Sequence, residues 1–95
     1  MIFGLLIYDV SKKKLYPRIY RILNAYHVRR IQNSVYEVEE TESRINELFC
    51  RLCDIIDETT DRISFIPLCE HDISQVVDIG IVQKRVRLHK QYYVL

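Results

Sequence analysis

The sequence predicts an α+β fold with two amphipathic helices on one face of an antiparallel sheet. Three observations carry that prediction. The chain opens on a nearly unbroken apolar run, Gly4-Leu5-Leu6-Ile7-Tyr8, which suits a strand in the middle of a sheet with both faces covered. Two later segments repeat apolar residues at helical spacing. Several others alternate or are β-branched over strand-like lengths. The order reads strand, helix, strand, helix, strand, strand, with a further strand at the C-terminus. Packing both helices on one sheet face gives a ferredoxin-like βαββαβ sandwich.

The first strand ends at Asp9-Val10 and runs into Ser11-Lys12-Lys13-Lys14. Leu15, Ile19, Ile22, Leu23 and Tyr26 then recur at helical spacing, predicting a helix from about 14 to 25 or 26. Pro17 belongs in its first turn, where a missing N–H costs nothing. No glycine closes this helix, so His27 is expected in the left-handed position that ends it. Residues 28–39 alternate and read as one strand. Ile31 and Val35 would cover the core, leaving Arg30, Gln32, Ser34 and Tyr36 on a polar face suited to a wet interface.

Thr41 is the expected N-cap of a second helix, with Glu42 complementing its dipole. Ile45, Leu48, Phe49, Leu52, Ile55 and Ile56 form its apolar stripe. Residues 62–68 and 76–82 read as the third and fourth strands, with Gly80 as a bulge or bend. Gln91-Tyr92-Tyr93-Val94-Leu95 reads as a fifth strand, expected to cover the edge of a partner's sheet. Residues 1–82 thus form the ferredoxin-like domain, and residues 83–95 a basic connector and C-terminal strand for dimerisation.

At 95 residues, 48% of them hydrophobic and 28% charged, this is one small domain whose thin stability margin dimerisation would widen. No apolar stretch reaches the ~20 residues of a membrane span, and nothing resembles a basic-then-apolar leader. A cytoplasmic location with three reduced cysteines is expected. The net charge is only +1, but it is segregated. Residues 1–34 hold Lys12, Lys13, Lys14, Arg18, Arg21, Arg29 and Arg30 against one acid, Asp9. Residues 35–81 hold twelve acids against Arg44, Arg51 and Arg62, and Lys84, Arg85, Arg87 and Lys90 follow without an acid. The pattern suggests a basic patch beside Asp9 and a solvated acidic side.

A carboxylate at the end of a buried strand must be solvated, paired or bound to a cation. Asp9 either simply begins a turn or is held at a nucleic-acid phosphate through a metal ion. Cys50, Cys53, Cys69 and His71 have the side chains of a zinc site, yet Cys50 and Cys53 fall within a predicted helix, where Cys53 serves as a small hydrophobe. Seven tyrosines could stack on bases, but most sit at core or interface spacing.

Three stretches together resemble the CRISPR-associated Cas-two family, small proteins of spacer acquisition. They are Leu6-Ile7-Tyr8-Asp9-Val10, Arg30-Ile31-Gln32-Asn33-Ser34-Val35-Tyr36-Glu37 and Asp61-Arg62-Ile63-Ser64-Phe65-Ile66-Pro67-Leu68. The second is the most specific, being similar to the family's arginine-hydrophobic-glutamine-x-serine-valine-aromatic motif. His27 and Val38 depart from the glycine and small residue usual at those places.

The resemblance implies a homodimer with facing sheets and a partner integrase in the adaptation complex. It implies DNA or RNA as partners, and a magnesium-dependent endonuclease on single-stranded RNA or duplex DNA. Asp9 would be the catalytic and metal-associated residue, close to its symmetry mate. Lys12, Lys13, Lys14, Arg18, Arg21 and Arg30 would bind nucleic acid, with Tyr8, Ser34 and Tyr36 supporting the interface. One carboxylate is a poor Mg²⁺ site, since that ion wants six oxygens. A dimeric scaffold gripping phosphates is therefore favoured over a nuclease, and a generic ferredoxin-like binding module stays open as an alternative.

Overall fold

The structure, a computed structural model, describes residues 1–80 and the strand residues 92–94. The main sheet contains β1 (Ile2–Asp9), β2 (Val28–Gln32), β3 (Val35–Glu40) and β4 (Arg62–Leu68), in the order β2-β3-β1-β4. Its neighbouring strands are antiparallel. Helices α1 (Tyr16–Leu23) and α2 (Glu42–Cys53) connect them, and a 3-10 turn over Lys13–Leu15 leads into α1. A short helix α3 (Glu70–Ser74) precedes β5 (Val77–Ile79) and β6 (Tyr92–Val94), which pair parallel in a separate two-stranded sheet. The expected ferredoxin-like sandwich is present.

β1 is the central strand, as its apolar run demands. Leu6 and Tyr8 face α1 and α2, where they join Tyr36, Val38, Ile19, Leu23, Leu48 and Leu52 in one buried cluster. Gly4 is required by close approach: a Cβ there would meet the Phe65 ring and lie 2.6 Å from the Ile66 carbonyl oxygen of β4. Pro17 sits in the first turn of α1. Thr41 caps α2, its Oγ1 accepting the Arg44 N–H at 3.3 Å. Gly80 forms a bend at φ +98°, a conformation that favours glycine.

Four expectations are corrected. Residues 28–39 are not one strand but the β2–β3 hairpin, which turns at Asn33-Ser34 and carries an irregular register between Arg30 and Gln32. Short polar residues at that position offer the backbone a turn in place of a ladder. The assignment of faces is reversed as well. Tyr36 and Val38 are buried beneath the helices, whereas Ile31 is 42% exposed. The large Tyr36 ring has more surface to hide than Ile31, and Arg30 and Gln32 escape to solvent because β2 is an edge strand.

His27 is not left-handed, since no non-glycine residue described has positive φ. Its N–H instead donates to Glu40 Oε2 at 2.9 Å, and its carbonyl accepts from Glu39 at 2.9 Å. These bonds fasten it at the start of the hairpin. Lastly, the segment expected as the fourth strand of the main sheet is reduced to β5 and lies outside that sheet. β4 already occupies the edge beside β1. Within the chain, the C-terminal strand pairs parallel on β5; the partner's sheet it is expected to cover belongs to a second copy. Lys84, Arg85, Arg87 and Lys90 lie outside the described residues.

The sheet face opposite the helices carries Leu5, Ile7 and Val35, all half-buried, and Ile66, 46% exposed. It also holds the cross-strand pair Arg29–Glu37, 3.6 Å apart and largely shielded from water.

Glu40, at the end of β3, locks the layers together. It is 3% exposed and accepts from His27 N–H and from Arg44 Nε at 3.2 Å. Arg44 also donates to the Ala25 carbonyl at 2.8 Å. Burial pushes the Glu40 carboxyl up, but the His27 N–H and the Arg44 guanidinium outweigh it and hold it below its ordinary value. A depressed carboxylate contributes stability that is present above its unfolded value and lost as pH falls through the folded one. Glu40→Gln is therefore expected to cost about 1 kcal/mol at neutral pH. In urea titrations, its deficit against wild type should shrink as pH is taken below 4.5. A deficit that does not change with pH would separate Glu40 from that titration.

Candidate nucleic-acid interface

Strand alternation places Tyr8 and Asp9 on opposite faces of β1. Tyr8 is buried, while Asp9 is exposed at the strand end, in register with Arg62 of β4. Among the described residues none hydrogen-bonds to the Asp9 carboxylate. No three His, Cys, Asp or Glu side chains among them converge on one point. A single chain therefore offers a divalent cation one carboxylate. That donor is hard and solvated, as Mg²⁺ prefers, but it needs water, phosphate or a second copy of Asp9 to complete six ligands.

The strand end is held from below. Ser11 donates to Asp61 Oδ1 through its N–H at 3.0 Å and its hydroxyl at 3.1 Å. Asp57 N–H donates to the other carboxylate oxygen at 2.9 Å. These bonds, the Asp57 N–H first and the Ser11 N–H next, hold the Asp61 carboxyl below its usual range. Asp61 is thus a turn residue that ties the 57–61 loop to the chain two residues beyond Asp9. Asp72 likewise caps α3.

Tyr8, Ser34 and Tyr36 support the site from inside. The Tyr8 N–H donates to the Ser34 carbonyl at 3.0 Å, and the Tyr8 hydroxyl donates to the Asn33 carbonyl at 2.5 Å. The Tyr8 ring stacks at 6.2 Å on Tyr36 and meets Tyr16 edge-on at 5.4 Å. Burial, aided by the neighbouring Tyr36, raises the Tyr8 hydroxyl to about 12. It stays a hydrogen-bond donor at neutral pH and is not available as a base. Ser34 acts through its backbone carbonyl.

The basic residues divide into groups. Lys12, Lys13 and Lys14 are exposed in and before the 3-10 turn that follows Asp9. Arg18 and Arg21 project from α1 and, with Ile22 of the same helix and Arg51 of α2, line a surface pocket of about 310 Å³. Arg30 stands apart on the edge strand β2. It donates to Asn33 Oδ1 and lies 5.8 Å from the Tyr20 ring centroid.

Sequence reasoning missed Arg51 and Tyr20. Arg51 stands in the acidic half of the chain, and only the packing of α2 on α1 brings it to Arg18 and Arg21. Tyr20 had a signal, being one position off the apolar stripe of α1. Cys50, Cys53 and Cys69 are all exposed. Cys53 is the last residue of α2, not an interior one.

The three stretches quoted for the family resemblance occupy neighbouring strands: the end of β1, the β2–β3 hairpin, and β4. The family model described as CRISPR associated protein Cas2 matches residues 1–76. The chain is 33% identical over 75 residues to CRISPR-associated endoribonuclease Cas2 2 of Methanospirillum hungatei, covering 79% of this chain and 82% of that protein. It is 32% identical over 76 residues to CRISPR-associated endoribonuclease Cas2 3 of a Synechocystis species, covering 80% and 82%. The crystal structure of Streptococcus pyogenes Cas2 at pH 6.5 superposes with a TM-score of 0.70 at 32% identity, covering 78% of this chain and 94% of that one.

Removing the tether beneath Asp9 has a defined expectation. In Asp61→Ala the Ser11 and Asp57 amides should exchange with solvent faster than in wild type, with the core amide of Leu6 unaffected. Native-state hydrogen exchange measures this, and unchanged Ser11 protection would refute the tether.

Proposed function

The chain belongs to the CRISPR-associated Cas2 family, and on that basis we propose that it is a dimeric nucleic-acid scaffold of spacer acquisition. Its partners in this reading are a second copy of the chain, the integrase of the adaptation complex, and DNA, in the cytoplasm. The relatives' designation as CRISPR endoribonucleases supports a nucleic-acid partner and replaces the generic binding module as the frame.

The observation that carries the reading is the pocket framed by Arg18, Arg21 and Arg51, with no carboxylate in its lining. Three arginines lining one pocket without a carboxylate favour an anion there. Phosphate contact of this kind binds duplex DNA without reading its bases. Lys12, Lys13 and Lys14 add exposed cations in and before the 3-10 turn that leads into α1. The half-buried Leu5, Ile7 and Val35 and the exposed Ile66 form an apolar face that a second copy would cover. A two-fold dimer doubles every basic group.

A second reading, a magnesium-dependent endonuclease on single-stranded RNA or duplex DNA, rests on Asp9. Its carboxylate is solvent-facing and engaged by no described residue, so it is available to an ion shared with its symmetry mate. Bound there, Mg²⁺ would polarise a phosphoryl oxygen and lower the pKa of a bound water. This chain's own contribution is to hold Asp9 through Ser11 and Asp61 on one side and buried Tyr8 on the other.

Two experiments test these readings. Arg18→Gln and Arg51→Gln should each weaken duplex binding about equally across sequences and reduce the salt slope of log K by about 1. Unchanged slopes would overturn the phosphate grip. Asp9→Asn should abolish Mg²⁺-dependent cleavage while leaving duplex binding intact. Cleavage persisting at the wild-type rate would remove the nuclease reading and leave the scaffold standing.

A further inference from the structure

Between α1 and the edge strand β2 lies a cleft of about 300 Å³, lined by Tyr8, Tyr16, Pro17, Tyr20, Arg30, Asn33 and Tyr36. This volume is at the lower end of ligand clefts, ~300–1,000 Å³. Its composition is unusual for a surface. Four tyrosines and a proline supply the walls, Arg30 is the one charged lining residue, and no carboxylate enters it.

Tyr8 and Tyr36 are held by the core, and Tyr16 is half-buried against Tyr8. Their burial explains them. Tyr20 is different: among the tyrosines of residues 1–80 it is the one exposed, at 45%. No described residue hydrogen-bonds to its hydroxyl, and its ring faces the Arg30 guanidinium across 5.8 Å. Asn33 steadies that arginine from the β2–β3 turn.

We propose that this cleft is a stacking subsite for one unpaired nucleobase, with Tyr20 as its platform and Arg30 as its clamp. The inference rests on the nucleic-acid reading above and adds a strand preference to it. An aromatic ring and a guanidinium plane present flat faces on which any base can stack, and stacking of this kind takes no account of base identity. Beside the cleft wall, exposed Lys14 stands two residues before Tyr16, whereas Arg18 belongs to the pocket facing α2. A base inside a duplex is covered on both faces by its neighbours and cannot enter. The subsite therefore selects single strands, frayed ends or overhangs. The arginine pocket of α1 and α2 makes no such distinction. Asn33 and the tyrosine hydroxyls place polar groups at the walls, where they can meet a base edge.

The test uses the whole chain and a single-stranded oligonucleotide carrying one 2-aminopurine, alone and annealed to its complement. Wild type should quench 2-aminopurine fluorescence in the single strand and leave it little changed in the duplex interior. Tyr20→Ala should abolish that quench and weaken single-strand binding by about tenfold, with duplex affinity and salt slope retained. Tyr20→Phe keeps the ring and should restore both quench and affinity, which also shows that the exposed position tolerates substitution. A Tyr20→Ala variant with wild-type quench and affinity overturns the subsite. So does wild type binding duplex but not single strand, in which case the scaffold reading survives. Wild type binding neither probe overturns both.

Discussion

Alternation along β1 decides where everything else can go. One strand, paired on both edges, sends Leu6 and Tyr8 under the helices and Leu5, Ile7 and Asp9 to the other face. A slip of one residue in its register would bury the carboxylate and expose the tyrosine, reversing both faces at once. Register is therefore over-determined. Gly4 admits only a close neighbour on β4, the Tyr8 hydroxyl is tied to the Asn33 carbonyl, and Ser11 is tied to Asp61. The acid is solvated because its neighbours are fixed.

The two layers divide the exposed cations between them. The helical layer gathers Arg18, Arg21 and Arg51 into one cationic surface, and the hairpin edge sets Arg30 against an aromatic wall. Glu40 and Arg44 connect these regions, fastening the start of β2, the start of α2 and the loop after α1. Positive charge is thus brought to the surface by elements whose own packing is apolar or internally paired. A folded chain with net charge of only +1 still presents faces that favour a polyanion.

Much of this was legible in the residues. β4 was read with its observed bounds, the Thr41 cap and Pro17 were placed correctly, and the central position of β1 followed from its apolar run. The hairpin was not legible because period-two alternation continues through Asn33-Ser34, so the turn leaves no break in the pattern. The faces of that hairpin were misread for a related reason. A tyrosine counts as polar on one reading and as a large hydrophobe on the other, and only its neighbours decide. Asp9 and the basic run could be named from sequence and family motif. The Arg51 contribution could not, because it depends on the packing of two helices whose facing residues lie about thirty positions apart.

The pairing of β1 with β4 has a consequence in time. Phe3 lies opposite Leu68, and Asp9 opposite Arg62, so this edge of the central strand waits for a segment made some sixty residues later. At roughly 5–20 residues per second, that delay during synthesis is of the order of several seconds. For that interval the most apolar stretch of the chain has one backbone edge unpaired. Closure over such sequence separations is also slow compared with helix formation. The first strand to emerge is among the last to be satisfied. Synthesis therefore sets a window in which the nascent chain depends on chaperones or on dilution to stay single.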